Sequence, residues 1–287
     1  MKSKLLFAVI LFLVFCINVY GTGVSIPELS AEPKETQDTL IRHLEAFGEG
    51  DIDALMADYA EDAVLFRPDS VLHGRDEIRS LFEVVIADIL PPGSTVKMSQ
   101  MITEGEIAYI VWSAESVTYK MPFGTDTFII RDGKILTQTF AVRMVSKAEG
   151  EVPLKLLELP ESKEKDVLMH HLQALGEGDI YAIMADYTED AILLTPEGVL
   201  RGHDEIKPFF EKVIADIFPP GSTVKMLQQI IEGEIAYIIW SGESATYKVP
   251  LGNDTFFIRD GKIVIHTLAA EMEAKTRQET KEVNQDE

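Results

Sequence analysis

Two histidines, His43 and His171, stand at matching places in two related stretches of this 287-residue chain. Each lies beside leucines at helical spacing, Leu40/Leu44 and Leu168/Leu172, so both imidazoles belong to the apolar face of a helix. There an imidazole can carry a proton near neutral pH or hydrogen-bond a ligand; it can equally be a core histidine satisfied by a neighbouring acceptor. Carboxylate partners are available on strand-like segments. Alternation along residues 108–116 puts Tyr109, Val111, Ser113 and Glu115 on one face and Ile110, Trp112 and Ala114 on the other. Glu115 and its counterpart Glu243 therefore face either a cavity or water, and an inward glutamate near histidine would make an acid/base pair. Trp112/Trp240, Tyr119/Tyr247 and Phe128/Phe256 offer aromatic surface to a flat apolar ligand, or ordinary core packing. Tyr59 and Tyr187 join them as ligand-binding candidates. No metal or cofactor is expected: the neighbours His170 and His171 point to different helix faces, and there is neither a His-x-x-x-His pair nor a glycine-rich phosphate loop nor a Gly-x-Ser-x-Gly elbow.

The elements that must position these residues occur twice. Gly48 and Gly176, like Gly133 and Gly261, are 128 positions apart with no gap between, which marks a tandem duplication. In the first copy Leu40, Leu44 and Phe47 define one helix, and Asp51 caps a second that carries Leu55, Met56 and Tyr59. A short strand over 63–66 follows, then an extended piece over 70–73. A third helix bears a wide apolar stripe from Ile78 to Ile89. After Pro91-Pro92-Gly93 the chain reads as long β-segments over 95–103, 107–119, 125–131 and 134–143, with hairpin turns at Glu104-Gly105-Glu106 and Asp132-Gly133-Lys134. Helices gathered on one side of an antiparallel meander define an α+β domain.

The termini and composition set the context. Residues 1–21 have the layout of an export signal: Lys2 and Lys4, an apolar run from Leu5 to Ile17, then small residues up to Gly21. Cleavage there gives a secreted or periplasmic protein; without it the segment would anchor the chain to the outer face of a membrane. Cys16, the only cysteine, lies inside this segment, so the mature chain has no thiol chemistry. A net charge of −22 repels nucleic-acid phosphates and anionic lipid. The expected organisation is a signal peptide at 1–21, domain 1 at 36–145, a linker at 146–163, domain 2 at 164–273 and a charged flexible tail at 274–287.

The ordered set Glu49-Gly50-Asp51, Tyr59-Ala60-Glu61-Asp62-Ala63-Val64-Leu65, Pro68, His73-Gly74-Arg75-Asp76-Glu77-Ile78 and Asp132-Gly133-Lys134-Ile135 resembles nuclear transport factor 2-like domains of the SnoaL and ketosteroid-isomerase type. The second copy repeats it through Tyr187–Leu193, Pro196 and Arg201–Ile206. The resemblance implies two cone-shaped domains, each with three helices packed on a strongly curved antiparallel sheet around an apolar cavity. It also implies sheet-mediated pairing, either inside the tandem chain as a pseudo-dimer or between chains. Isomerase-type members would place a tyrosine at His43 and His171, a carboxylate base at Arg67 and Thr195, and a late-strand acid near Thr127 and Thr255; none matches. Cyclase-like members would place a histidine at Gln138 and His266, so only the second copy keeps it. The resulting expectation is an exported protein that binds a small apolar molecule in its cones, with little or no catalysis, through His43, Tyr59, Trp112, Glu115, Tyr119 and Gln138 and through His171, Tyr187, Trp240, Glu243, Tyr247 and His266. The alternatives are an isomerase- or cyclase-type enzyme using His171 and His266, and a scaffold associating through its sheets.

Overall fold

A computed structural model describes residues 34–148, 150–151 and 162–275. The expected signal at 1–21 lies outside the described residues, as do the middle of the expected linker and most of the expected tail.

In each repeat the first helix is amphipathic and closes on glycine. Helix α1 (Lys34–Glu49) buries Leu40, His43 and Ala46, and Gly50 turns the chain with a positive φ of 72°. Asp51 then caps α2 (Ile52–Ala57), its carboxylate accepting from the Ala54 amide at 3.0 Å. Helix α2 stops at Ala57, and Tyr59, expected on its apolar face, instead opens strand β1 (Tyr59–Arg67). A tight return forms β2 (Ser70–His73), and α3 (Gly74–Val84) follows, ending in a π-helical turn over Val85–Ile89. The wide stripe predicted for this helix divides: Ile78 enters the core, Leu81, Val85 and Ile89 line a cavity, and buried Phe82 does both.

Four long strands complete the repeat: β3 (Thr95–Glu104), β4 (Ile107–Glu115), β5 (Tyr119–Arg131) and β6 (Lys134–Ser146). The sheet order is β2-β1-β6-β5-β4-β3; β1 runs parallel to β6 and every other pair on this path is antiparallel. Register shifts at Met98/Gln100, Trp112/Ala114 and Lys120/Phe123 bend the long strands around the helices. Pro122 sits within the last of these irregularities, where a missing amide costs no ladder bond. Full burial of side chains such as Leu40, Leu55, Leu65, Ile78 and Phe128 between helices and sheet contributes about 1.5–3 kcal/mol each.

The second repeat runs α4 (Lys163–Glu177), α5 (Ile180–Ala185), β8 (Tyr187–Thr195), β9 (Gly198–Arg201), α6 (Gly202–Lys212), a π-helical turn over Val213–Ile217, β10 (Thr223–Glu232), β11 (Ile235–Glu243), β12 (Tyr247–Arg259) and β13 (Lys262–Ala270), in the same sheet order. The flanking segments add short strands. β7 (Gly150–Glu151) pairs with β6, and β14 (Glu273–Ala274) pairs with β12. The expected tail thus begins inside a strand, with Lys275 bound to Glu243 at 2.6 Å.

The convex faces of the two sheets pack on each other. Phe66, Tyr109, Val111 and Phe123 form one cluster with Leu194, Tyr237, Ile239 and Leu251. Its hydrogen bonds come in related pairs: Tyr109 donates to Leu268 O at 2.9 Å and Tyr237 to Phe140 O at 2.7 Å. Thr127 bonds Thr267 at 2.8 Å, and Thr139 bonds Thr255 at 2.9 Å.

Candidate functional site

On the concave side of the first sheet lies a cavity of about 540 Å³. Strand alternation supplies its wall: Ile110 and Trp112 point in from β4, Asp126 and Phe128 from β5, Gln138 and Phe140 from β6. Helix α1 adds His43, Leu44 and Phe47. Arg67 and Asp69 stand at the mouth, joined at 2.5 Å.

The polar end of the cavity is one connected network. Tyr59 donates to Gln138 Oε1, and Gln138 Nε2 donates to Asp126 Oδ1 at 2.7 Å. Trp112 Nε1 donates to Asp126 Oδ2 at 2.5 Å. This reach depends on Gly124, the cross-strand partner of Trp112: a Cβ there would sit 2.5 Å from the indole ring. Burial raises the Asp126 carboxyl to about 6, against the two donors that favour its ionised form. Burial likewise pushes the Tyr59 phenol well above its usual range, so it remains a neutral donor.

His43 sits on the other side of Tyr59, its ring edge-on at 5.2 Å between centroids. Burial, with the Arg42 charge beside it, lowers its pKa to about 3, so the imidazole is neutral in ordinary buffers. His43 Nδ1 faces Asp58 Oδ2 at 3.9 Å, and Asp58 in turn accepts from Arg42 Nε at 2.5 Å. Burial raises the Asp58 pKa while Arg42 acts in the opposite direction.

The second repeat keeps the frame and changes one member. Trp240 Nε1 donates to Asp254 Oδ2, and Tyr187 is again the far partner. Between them His266 replaces glutamine: Nδ1 meets the Tyr187 hydroxyl at 2.7 Å and Nε2 meets Asp254 Oδ1 at 2.7 Å. Burial lowers the His266 pKa, with Asp254 opposing it. The His171 ring stands edge-on to His266 at 6.2 Å, and its Nδ1 faces Asp186 at 3.5 Å. Asp186 also bonds His170, which occupies the place of Arg42.

The candidate residues therefore divide. His43, Trp112 and Gln138 line the first cavity, and Tyr59 supports it from behind; in the second repeat His171, Tyr187, Trp240 and His266 adopt the corresponding arrangement. Glu115 and Glu243 do not belong with them. Each is more than half exposed and paired, with Lys147 at 2.7 Å and Lys275 at 2.6 Å, because the β4 alternation puts Glu115 on the side opposite Trp112. Tyr119 packs in a cluster with Leu90 and Met121 rather than lining the cavity, and Tyr247 opens β12 where it pairs with Ala274.

Asp126 and Asp254 were missed. The late-strand acid expected near Thr127 and Thr255 is one residue earlier, and those threonines lie in the contact between repeats. The usable signal was the pleat: Asp126 shares a strand face with Phe128.

A cone of curved sheet and three helices around an apolar cavity with a polar end is an α+β architecture of the nuclear transport factor 2-like type. The SnoaL-like domain family matches residues 40–138 and 169–266, more than half of the chain, and the protein belongs to it as a tandem pair of domains. No curated protein matches the chain. Similar solved structures include an NTF-2 like protein of unknown function from Burkholderia xenovorans LB400, with 18% identity over 39% of this chain and 86% of that one, TM-score 0.34. An NTF2-like protein of unknown function from Mesorhizobium loti shares 15% over 40% and 99%, TM-score 0.35. A SnoaL-like protein of unknown function from Burkholderia thailandensis E264 shares 15% over 39% and 99%, TM-score 0.34.

Proposed function

We propose that the protein is an exported binder that holds a small, mainly apolar molecule in the cone of its first repeat. The observation that carries this reading is the open cavity of about 540 Å³, walled by side chains such as Leu44, Phe47, Phe82 and Phe128, with a connected polar network at one end and the Arg67–Asp69 pair at its mouth. Had its own side chains filled the cone, only a scaffold role would remain. Native mass spectrometry of protein purified from its host should reveal a copurifying molecule. Thermal shifts across lipid, steroid and polyketide probes should include hits of several degrees, since a ligand at 100 times its Kd adds about 2.7 kcal/mol. Leu44→Trp, which fills the cone, should abolish them. An empty spectrum with no shift overturns the reading. Export rests on residues 1–21, and amino-terminal sequencing of host protein should begin at Thr22.

The second repeat favours a second reading. Tyr187, His266 and Asp254 form a chain in which neutral His266 donates to the carboxylate and accepts from the phenol, an arrangement suited to moving a proton. His266→Gln copies the first repeat. On the isomerase- or cyclase-type reading it should reduce turnover of a substrate at least a hundredfold while leaving its binding in place. Equal turnover in the variant rejects catalysis through His266.

A further inference from the structure

Both oxygens of Asp126 accept one hydrogen bond, from Gln138 and from Trp112, and each keeps a second lone pair. The Trp112 N–H is spent on that carboxylate. Gln138 gives one amide hydrogen to Asp126 and accepts from Tyr59 with its oxygen, which fixes the orientation of the amide and leaves one N–H. His43 is neutral, and its Nδ1 lies 3.9 Å from Asp58 Oδ2, too far for a hydrogen bond; the negative potential of that carboxyl group favours the ring proton on Nδ1, which leaves Nε2 as an acceptor. Arg42, bonded to Asp58 at 2.5 Å, favours its ionised form and opposes the burial that raises its pKa. The inventory is thus a carboxylate and an imidazole nitrogen that accept, and a single amide hydrogen that donates.

We infer that the first cavity selects an apolar alcohol or phenol over the corresponding ketone, with the ligand hydroxyl donating to Asp126 and accepting from Gln138. This deepens the binding reading proposed above and rests on it. A carbonyl oxygen offers only lone pairs: it can accept from the Gln138 N–H, but it leaves the carboxylate and the imidazole nitrogen without a donor. A hydroxyl satisfies both senses of the site at once. A pocket built to bond a hydroxyl discriminates strongly against an analogue lacking it, because its own polar groups are then left unpaired. The pairing of a free donor with these acceptors is a property of the first repeat. In the second, His266 stands where Gln138 does and spends both nitrogens on Tyr187 and Asp254, so no equivalent donor remains.

The test uses one skeleton in three oxidation states: 1-tetralol, 1-tetralone and tetralin, titrated calorimetrically into the full chain at pH 7.5. The expected result is binding of the alcohol about tenfold or more tighter than the ketone, with the hydrocarbon no tighter than the ketone. Asp126→Asn, which presents an amide N–H to the cavity, should remove or reverse that preference. The wild-type ratio alone decides the inference should the variant fail to fold. Equal affinities, a preference for the ketone, or an alcohol preference that survives in a folded Asp126→Asn protein would each overturn it while leaving apolar binding intact. Failure of all three probes, together with no hit in the wider probe set, is instead the failure of the binding reading itself.

Discussion

At the scale of single residues, Asp126 and His43 make opposite demands on pH. Asp126 titrates near 6 in the folded chain against 3.8 when unperturbed, because burial penalises its charge. Between those values the folded chain holds a proton that the unfolded chain has lost. Its contribution is therefore greatest below about pH 4 and is lost as pH rises through 6. The stability difference between wild type and Asp126→Asn, from urea unfolding, should move against the wild type by roughly 3 kcal/mol between pH 4 and 7.5. His43 works the other way. Its folded pKa of about 3 lies below the unperturbed 6.5, so its contribution is complete above 6.5 and is lost as pH falls toward 3. Relative to His43→Gln, the wild type should lose stability on acidification from pH 7 to 4. A difference independent of pH would mean that the imidazole is not shielded from water. The histidines were legible in the sequence because helical spacing placed them beside Leu40 and Leu168. Asp126 was not: a count back from the Asp132-Gly133 turn fixes a distance along the chain, whereas the strand face decides which neighbour points inward.

At the scale of elements, the cavity depends on how β4 and β5 cross. Trp112 lies opposite Gly124 and its indole covers that glycine to reach Asp126; Trp240, Gly252 and Asp254 repeat the arrangement. Gly124→Ala would place a methyl group 2.5 Å from the ring. The indole must then leave, and the Asp126 carboxylate loses one of its two donors. The expected cost is about 2–4 kcal/mol, combining overpacking with the lost bond, accompanied by a changed Trp112 near-ultraviolet signal. The helices, hairpin turns and order of strands could be read from periodicity and Gly/Pro punctuation. The strand ends could not. The segment expected over 107–119 breaks after Glu115, and β5 begins at Tyr119, ahead of Pro122, because a register irregularity accommodates the proline inside a strand.

At the scale of the whole molecule, duplication turns a surface into an interior. The convex sheet faces carry tyrosines, phenylalanines and branched residues that would be an exposed apolar patch on a lone repeat, and here each covers the other. Polar bonds fix the register: Gln100 donates to Pro196 O and Gln228 to Pro68 O, and Arg143 holds Glu271 by two contacts of 2.6 and 2.7 Å. At the periphery His73 faces Glu232 at 3.5 Å while Arg201 holds Glu104 at 2.5 Å, so the related His/Arg positions both reach the opposite repeat. With these faces occupied inside one chain, they are not free to pair with a second. The contact also couples the folding of the two cones. Phe66, fully buried at the contact, is tilted against Tyr237 with ring centroids 6.3 Å apart. Phe66→Ala should cost about 3–5 kcal/mol. Because the cavity it leaves is shared by both repeats, calorimetry should show one transition moving down as a unit. A second transition that stays at the wild-type temperature would mean that repeat 2 folds without help from repeat 1, and that the two cones are joined by sequence alone.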